Sequence, residues 1–287
     1  MTDYGRDLEF GYFLTPSADD PGRLISAAQE LDELGFELLG AQDHPYQGGF
    51  LDTWTLLSVI AARTSRLRVF PDVTSLPLRP PAVLAKSAAT LDLLSGGRVE
   101  LGLGAGAFWD AIAAMGGPRR GPGEAIDALR EAIEVIRLMW SDQRAARFAG
   151  KAYSLSGVHP GPKPAHNIGI WLGVYKPRGL ALVGSTADGW LPSMGYLDPG
   201  KAMSEAHARI DEAAEAAGRD PATIRRIYNL DGQAPASQLV PLLTDLALEY
   251  GMDGFVFGGP GTRDEFARLA AEVVPTVREA VRCERAR

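Results

Sequence analysis

The chain has 287 residues, 46% hydrophobic and 23% charged, with 33 Gly and 20 Pro, an ordinary globular composition with length enough for a large core. A formal charge of −7 argues against nucleic acid or an acidic membrane as the main partner. Cys283 is the sole cysteine, which excludes an intrachain disulfide and a cysteine-based metal cluster and fits a reducing cytoplasm.

The first ten residues lack the apolar core of a signal peptide, and no apolar run reaches about 18 residues, so a soluble cytoplasmic protein is expected. Leu8 to Leu14 is a short aromatic-rich strand. From Pro21 the spacing becomes helical, with Leu24, Ala28, Leu31 and Leu34 on one face. Asp20 is its N-cap, Pro21 its first residue and Gly35 its close. Phe36 to Ala41 is a second strand ending in Gln42-Asp43-His44-Pro45, and a helix follows over Asp52 to Thr64. Leu67 to Val73 is a third strand, and the paired prolines Pro80-Pro81 open the helix that ends at Ser95.

That helix carries a stripe of Leu84, Ala88, Leu91 and Leu94, and Ser95-Gly96-Gly97 stops it. Val99 to Leu103 is a fourth strand. Gly102, Gly104 and Gly106 then let backbone approach a ligand without Cβ atoms in the way, and a short helix follows. Strand, glycine loop and helix start is a geometry in which N–H groups receive an anion. A literal dinucleotide fingerprint over Gly102, Gly104 and Ala107 lacks the acidic residue expected about 20 residues on, and a plain glycine turn is the competing reading.

The helix from Pro122 to about Trp140 has Ile126, Leu129, Ile133, Ile136 and Trp140 on its apolar stripe. The rhythm breaks over residues 141–167. Phe148 to Val158 reads as a hairpin turning at Gly150-Lys151, and Pro160, Pro162 and Pro164 hold the following chain extended. Strands at 168–172, 188–191, 223–230 and 254–257 then alternate with helices at 177–185, 199–217, 238–250 and 264–282. Eight strand-plus-helix units in one domain predict an α/β fold, a (β/α)8 TIM barrel with an insertion after the fourth helix.

In such a barrel the chemistry sits in the loops at the strand C-termini. Asp43-His44 stands directly after strand two, and His44 is the one histidine of four placed at such a site; a hydrogen-bonded loop residue is the bland alternative. Strand five runs into Leu172-Gly173-Val174-Tyr175-Lys176-Pro177. Lys176 and Arg178 sit at the helix end that the macrodipole disfavours for cations, which favours an anionic partner there. Gly258 to Gly261 is a second flexible candidate, and Trp54, Phe108 and Trp109 are placed either to wall a planar ring or to pack against helices. No metal-spaced histidine pair and no G-x-S-x-G elbow occurs, so bound-cofactor chemistry is the expectation.

The block L-D-L-L-S-G-G-R-V-E-L-G-L-G-A-G, with the Asp43-His44 strand end, Thr74 to Pro81, Leu138-Met139-Trp140, Ile170 to Gly173 and Ala187 to Trp190, resembles the luciferase-like monooxygenase superfamily of flavin- and deazaflavin-dependent oxidoreductases. The resemblance implies a barrel, often dimeric, holding a ring cofactor at the strand C-termini. The Asp-His pair looks like the coenzyme F420 branch, with His44 as proton donor or ring-contacting polar group and Asp43 orienting it. It further implies a bulge around Pro71-Asp72-Val73 with a non-prolyl cis peptide, for which the Pro71–Asp72 bond is the candidate. Cofactor contacts are implied for Asp72, Val73, Thr74, Gly104, Ala105, Gly106, Ala107, Asp110, Gly173, Val174, Tyr175 and Lys176. The glycine loop and the 173–176 loop take the phosphate and ribityl chain. Ala107 stands where some relatives carry a glutamate, strand one ends without a carboxylate, and Val174 replaces a glycine, which leaves the small-molecule substrate open. Two other activities belong to the same resemblance: an FMN-dependent monooxygenase using reduced flavin and O₂, and a non-catalytic cofactor-binding protein.

Overall fold

The first strand and the last, 245 residues apart where Glu9 pairs with Gly254, lie side by side, and this pairing is what makes a ring of the sheet. The structure is a computed structural model that describes residues 3–287. Its strands β1 (Glu9–Leu14), β2 (Leu38–Ala41), β3 (Arg68–Pro71), β4 (Thr74–Ser75) and β5 (Leu101–Gly104) alternate with helices α1 (Pro21–Leu34), α2 (Thr53–Arg63) and α3 (Pro81–Ser95). Helices α4 (Trp109–Ala114) and α5 (Pro122–Met139) follow, then a separate hairpin of β6 (Ala146–Ala149) and β7 (Ser154–Val158). The second half runs β8 (Ile170–Leu172), α6 (Pro177–Thr186), β9 (Gly189–Trp190), α7 (Lys201–Ala216), β10 (Arg225–Asp231), α8 (Ala236–Leu248), β11 (Gly254–Gly258), α9 (Arg263–Arg268) and α10 (Val274–Arg285).

The sheet order is β3-β2-β1-β11-β10-β9-β8-β5-β4, and its pairings are parallel. Segments β3 and β4 are one barrel strand interrupted at Asp72-Val73: β3 pairs with β2, β4 pairs with β5, and a bridge between Val69 and Val99 joins the two edges. The result is the eight-stranded α/β barrel that the alternation predicts. The non-prolyl cis bond is Asp72–Val73, one bond later than the Pro71–Asp72 position expected.

Capping follows the sequence closely. The Asp20 side chain accepts from Arg23 N–H, and Gly35 and Gly96 close α1 and α3 in the left-handed conformation. Leu38, Phe70, Trp171, Leu191, Ile227 and Val256 form a small apolar cluster distinct from the larger barrel-to-helix core. The helical stripes hold except at their last members. Leu34 and Leu94 are exposed, since each stands in the final turn beyond the reach of the neighbouring element.

The N-terminal rim is tied by charge. Arg68 reaches Glu9 at 2.5 Å and Glu100 at 2.9 Å, while Arg225 reaches Glu9 at 2.9 Å and Asp253 at 2.8 Å. The β6–β7 hairpin is held at its turn by Glu131 of α5, whose carboxylate accepts from the N–H groups of Lys151, Ala152 and Tyr153 at 2.8–3.1 Å. Among the described residues no helix is long and apolar enough to cross a membrane.

Candidate active site

A cavity of about 1000 Å³ opens at the C-terminal ends of the barrel strands. Every strand contributes to its wall: Phe13 from β1, Gln42 and His44 after β2, Asp72 and Val73 between β3 and β4, and Ala107 and Phe108 after β5. Gly173 and Tyr175 follow β8, Leu191 and Ser193 to Tyr196 follow β9, Asn229 to Asp231 end β10, and Val256, Gly258 and Gly259 lie at the end of β11. The volume suits a cofactor together with a small substrate.

His44 belongs to an aromatic cluster. Its ring stacks on Tyr46 at 5.3 Å and meets the edge of Phe108 at 5.4 Å. Burial lowers its pKa and the charge of Asp43 opposes that shift, so the imidazole is neutral at neutral pH. Asp43 is buried, and its carboxylate accepts from Arg79 Nε at 2.7 Å, Arg79 Nη2 at 2.6 Å and the Ser75 N–H at 3.0 Å. These bonds fasten the loop after β2 to the segment after β4. His44 is not among these partners, and Asp43 acts on that ring through charge.

Val73 sits between the two glycine loops. A Cβ on Gly104 would lie 2.7 Å from Val73 Cγ2, and one on Gly173 would lie 3.1 Å from Val73 Cγ1. A Cβ on Gly102 would meet the Pro71 carbonyl oxygen at 2.1 Å, and one on Gly106 the Pro77 ring at 2.7 Å. The glycines expected to clear the way for a ligand therefore clear it for neighbouring protein atoms. The backbone of the same loops remains available: the N–H groups of Ala105, Gly106, Ala107 and Phe108, and of Val174, Tyr175 and Lys176, donate to no acceptor among the described residues.

Of the remaining expected contacts, Asp72, Val73, Ala107, Gly173 and Tyr175 line the cavity. Thr74 is buried in the β4–β5 ladder, and Val174 is buried with its carbonyl accepting from Trp190 Nε1 at 2.8 Å. Asp110 is exposed and paired with Arg119, and Lys176 is exposed outside the wall. Arg178 is paired with Asp127 at 2.8 Å, so its charge at the start of α6 is already answered within the chain. Trp54 packs in the core, whereas Phe108 is in the wall.

Sequence reading missed Ser193, Tyr196, Asn229 and the Arg79 clamp. Tyr196 packs on Tyr175 at 5.6 Å, and Asn229 Nδ2 donates to Ser193 Oγ at 3.2 Å. No local motif marks Ser193, Tyr196 or Asn229, and Arg79 lies within the Thr74 to Pro81 stretch without standing out in it. Ser193 and Tyr196 follow β9, Asn229 lies near the end of β10 and Arg79 follows β4, so position at a strand end was the available signal, and it required those ends placed to within a residue.

A family model described as luciferase-like monooxygenase matches residues 8–231. An F420-dependent hydroxymycolic acid dehydrogenase of Mycobacterium tuberculosis is 33% identical over 211 residues, covering 70% of this chain and 56% of that protein. The chain thus spans little more than half the length of that relative. An F420-dependent glucose-6-phosphate dehydrogenase of Amycolatopsis mediterranei is 29% identical over 235 residues, 78% of this chain and 68% of that protein. Among solved structures, an F420-dependent secondary alcohol dehydrogenase in complex with an F420-acetone adduct superposes with a TM-score of 0.85 at 18% identity, covering 95% of this chain and 99% of that one. At that identity the likeness is one of fold.

Proposed function

The chain belongs to the luciferase-like monooxygenase family, and from that premise we propose that it is a coenzyme F420-dependent oxidoreductase that moves a hydride between the deazaflavin and an organic substrate. The observation that carries this reading is the rim cavity of about 1000 Å³, walled by Phe13, Phe108, Tyr175 and Tyr196, with unpaired backbone N–H groups in the flanking loops. A flat apolar ring fits such walls, and a phosphodiester fits a row of free N–H donors. The names of the relatives favour the deazaflavin over FMN.

When bound, the deazaflavin supplies the carbon that accepts or releases the hydride. Loops 104–107 and 173–176 would hold its phosphate and ribityl chain, with Val73 placed between them to support the ring. His44 contacts ring or substrate as a neutral polar group, and Asp43 with Arg79 fixes the loop that carries it. The walls would exclude water and hold ring and substrate face to face, as hydride transfer requires. No Lys or Arg is among the residues lining the cavity, which supports an uncharged substrate over a sugar phosphate. Val83 and Leu94, 63% and 82% exposed on α3, support assembly as a homodimer, to be read by sedimentation.

The test adds F420 and FMN separately to purified protein and follows fluorescence. Saturable F420 binding is expected, and His44→Ala is expected to keep that binding while lowering turnover by about 10²-fold. Tight FMN binding without F420 binding rejects the cofactor assignment.

A further inference from the structure

We propose that Asp72 is the acid–base residue of this site: its carboxyl, on the cavity wall between β3 and β4, takes and returns the proton that accompanies hydride transfer. The inference rests on the oxidoreductase reading and adds to it the group that handles the proton.

The backbone of Asp72 is anchored, its N–H donating to the Ala41 carbonyl at 2.8 Å. Gly40 on β2 leaves room for the side chain, since a Cβ there would stand 3.2 Å from the Asp72 Cβ. Asp72 Oδ2 is buried and finds no hydrogen-bond partner, and neither does Asn229 Oδ1. Two orphaned acceptors at one cavity call for a hydrogen, because a buried polar atom left unpaired costs about 1–3 kcal/mol. A protonated Asp72 provides one, and so does the hydroxyl of a bound carbinol.

The surrounding charges leave an ionised Asp72 unassisted. Asn229 on β10 is its polar neighbour, and Tyr175 after β8 feels its charge. His44 after β2 is neutral, and Asp43 is engaged by Arg79. Asp231 at the end of β10, also in the wall, is exposed and accepts from the Gln233 N–H at 2.9 Å. No cation lines the cavity. Burial accordingly pushes the Asp72 pKa up to about 7, with the neighbouring Asn229 amide opposing. A group balanced there exchanges protons in both directions near neutral pH, whereas His44, held low, seldom carries one.

The step balances. In oxidation the carbinol C–H bond breaks and its hydrogen leaves with both electrons for the bound deazaflavin. The C–O bond becomes C=O as the O–H bond breaks, and the proton passes to the Asp72 carboxylate. In reduction the acid returns that proton to the carbonyl oxygen while the hydride arrives at carbon.

Infrared difference spectra of the ligand-free wild type against Asp72→Asn, taken across the neutral pH range, read the carboxyl directly. Asp72→Ser serves as a second isolating variant if the first does not fold. A protonated-carboxyl band that persists to neutral pH and is missing in the variant is expected. With F420 and the probes 2-propanol, 2-butanol and 2-octanol, the variant should bind F420 as the wild type does and bleach it about 10²-fold or more slowly. The wild-type rate of oxidation should rise through neutral pH, and that rise should vanish in Asp72→Asn while surviving in His44→Gln. An Asp72 ionised throughout the range, or a variant with wild-type rate and pH profile, overturns the proposal. Failure of the wild type to bind F420 overturns the functional reading instead, and the infrared result then decides the state of Asp72 independently.

Discussion

Gly102 is fixed by an atom it never touches in sequence. The Pro71 carbonyl oxygen stands 2.1 Å from where its Cβ would be, and a backbone oxygen in the neighbouring strand cannot rotate away. Gly104 is different: its Cβ would meet the Val73 Cγ2 methyl at 2.7 Å, and a side chain can give. Gly102→Ala is therefore expected to destabilise the fold by about 1–3 kcal/mol or more. Gly104→Ala should cost less stability while displacing Val73 and weakening F420 binding. Urea midpoints and F420 titrations of both variants separate the two effects, and equal stability losses would reject the distinction. The glycine pattern was legible in the sequence, but its cause was not. A missing Cβ shows that something comes close, and only the three-dimensional packing shows that the visitor is Pro71 or Val73 and not a ligand.

Asp92 near the end of α3 joins three elements. Its carboxylate accepts from the His166 N–H at 3.1 Å and the Val99 N–H at 3.3 Å, and it pairs with His166 Nδ1 at 2.8 Å. The end of the 141–167 insertion is thereby tied to the helix and to Val99, two residues before β5. The Glu100 carboxylate, 3.8 Å from Nε2, then the bond and charge of Asp92, raise the His166 pKa above its ordinary value, with burial opposing. A raised folded-state pKa stabilises fully below the unfolded value and is lost as pH climbs through the folded one. The contribution of His166 to the melting temperature should therefore fall as pH rises from below the ordinary histidine range to above the raised value, against the opposite slope from the depressed His207 and His44, and His166→Gln should remove that falling component. A variant with the wild-type slope would remove His166 from the account. Helices and strands of this region were readable from period and capping residues. The pairing of His166 with Asp92 was not, because it joins positions on opposite sides of an irregular insertion, where no period runs.

The barrel as a whole has two ends with different work. Counting strand-plus-helix alternations was enough to predict the ring, and ring geometry then placed His44, Gly173 and the glycine loop on one rim. Asn229, Ser193 and Arg79 reach that rim by long-range packing that no window of sequence contains. At the opposite rim, Glu9 is shared by Arg68 and Arg225, and through them the charges run from Glu100 by way of Arg68, Glu9 and Arg225 to Asp253. Glu9→Gln leaves both guanidinium groups short of a counter-charge while changing almost no volume. The Glu9 side chain is 21% exposed, so the cost should fall between that of exposed and buried pairs, about 1–3 kcal/mol. Because β1 pairs with both β2 and β11, the loss should appear as a lower midpoint of one cooperative transition, without a separate early phase. The rim that holds the cavity is carried by the other ends of the same strands, so F420 affinity in the folded variant should match the wild type. Thermal unfolding followed by fluorescence, with F420 titration well below the midpoint, measures both. A variant of unchanged stability, or one that loses F420 binding while folded, would show that the two ends are not the independent parts this geometry makes them.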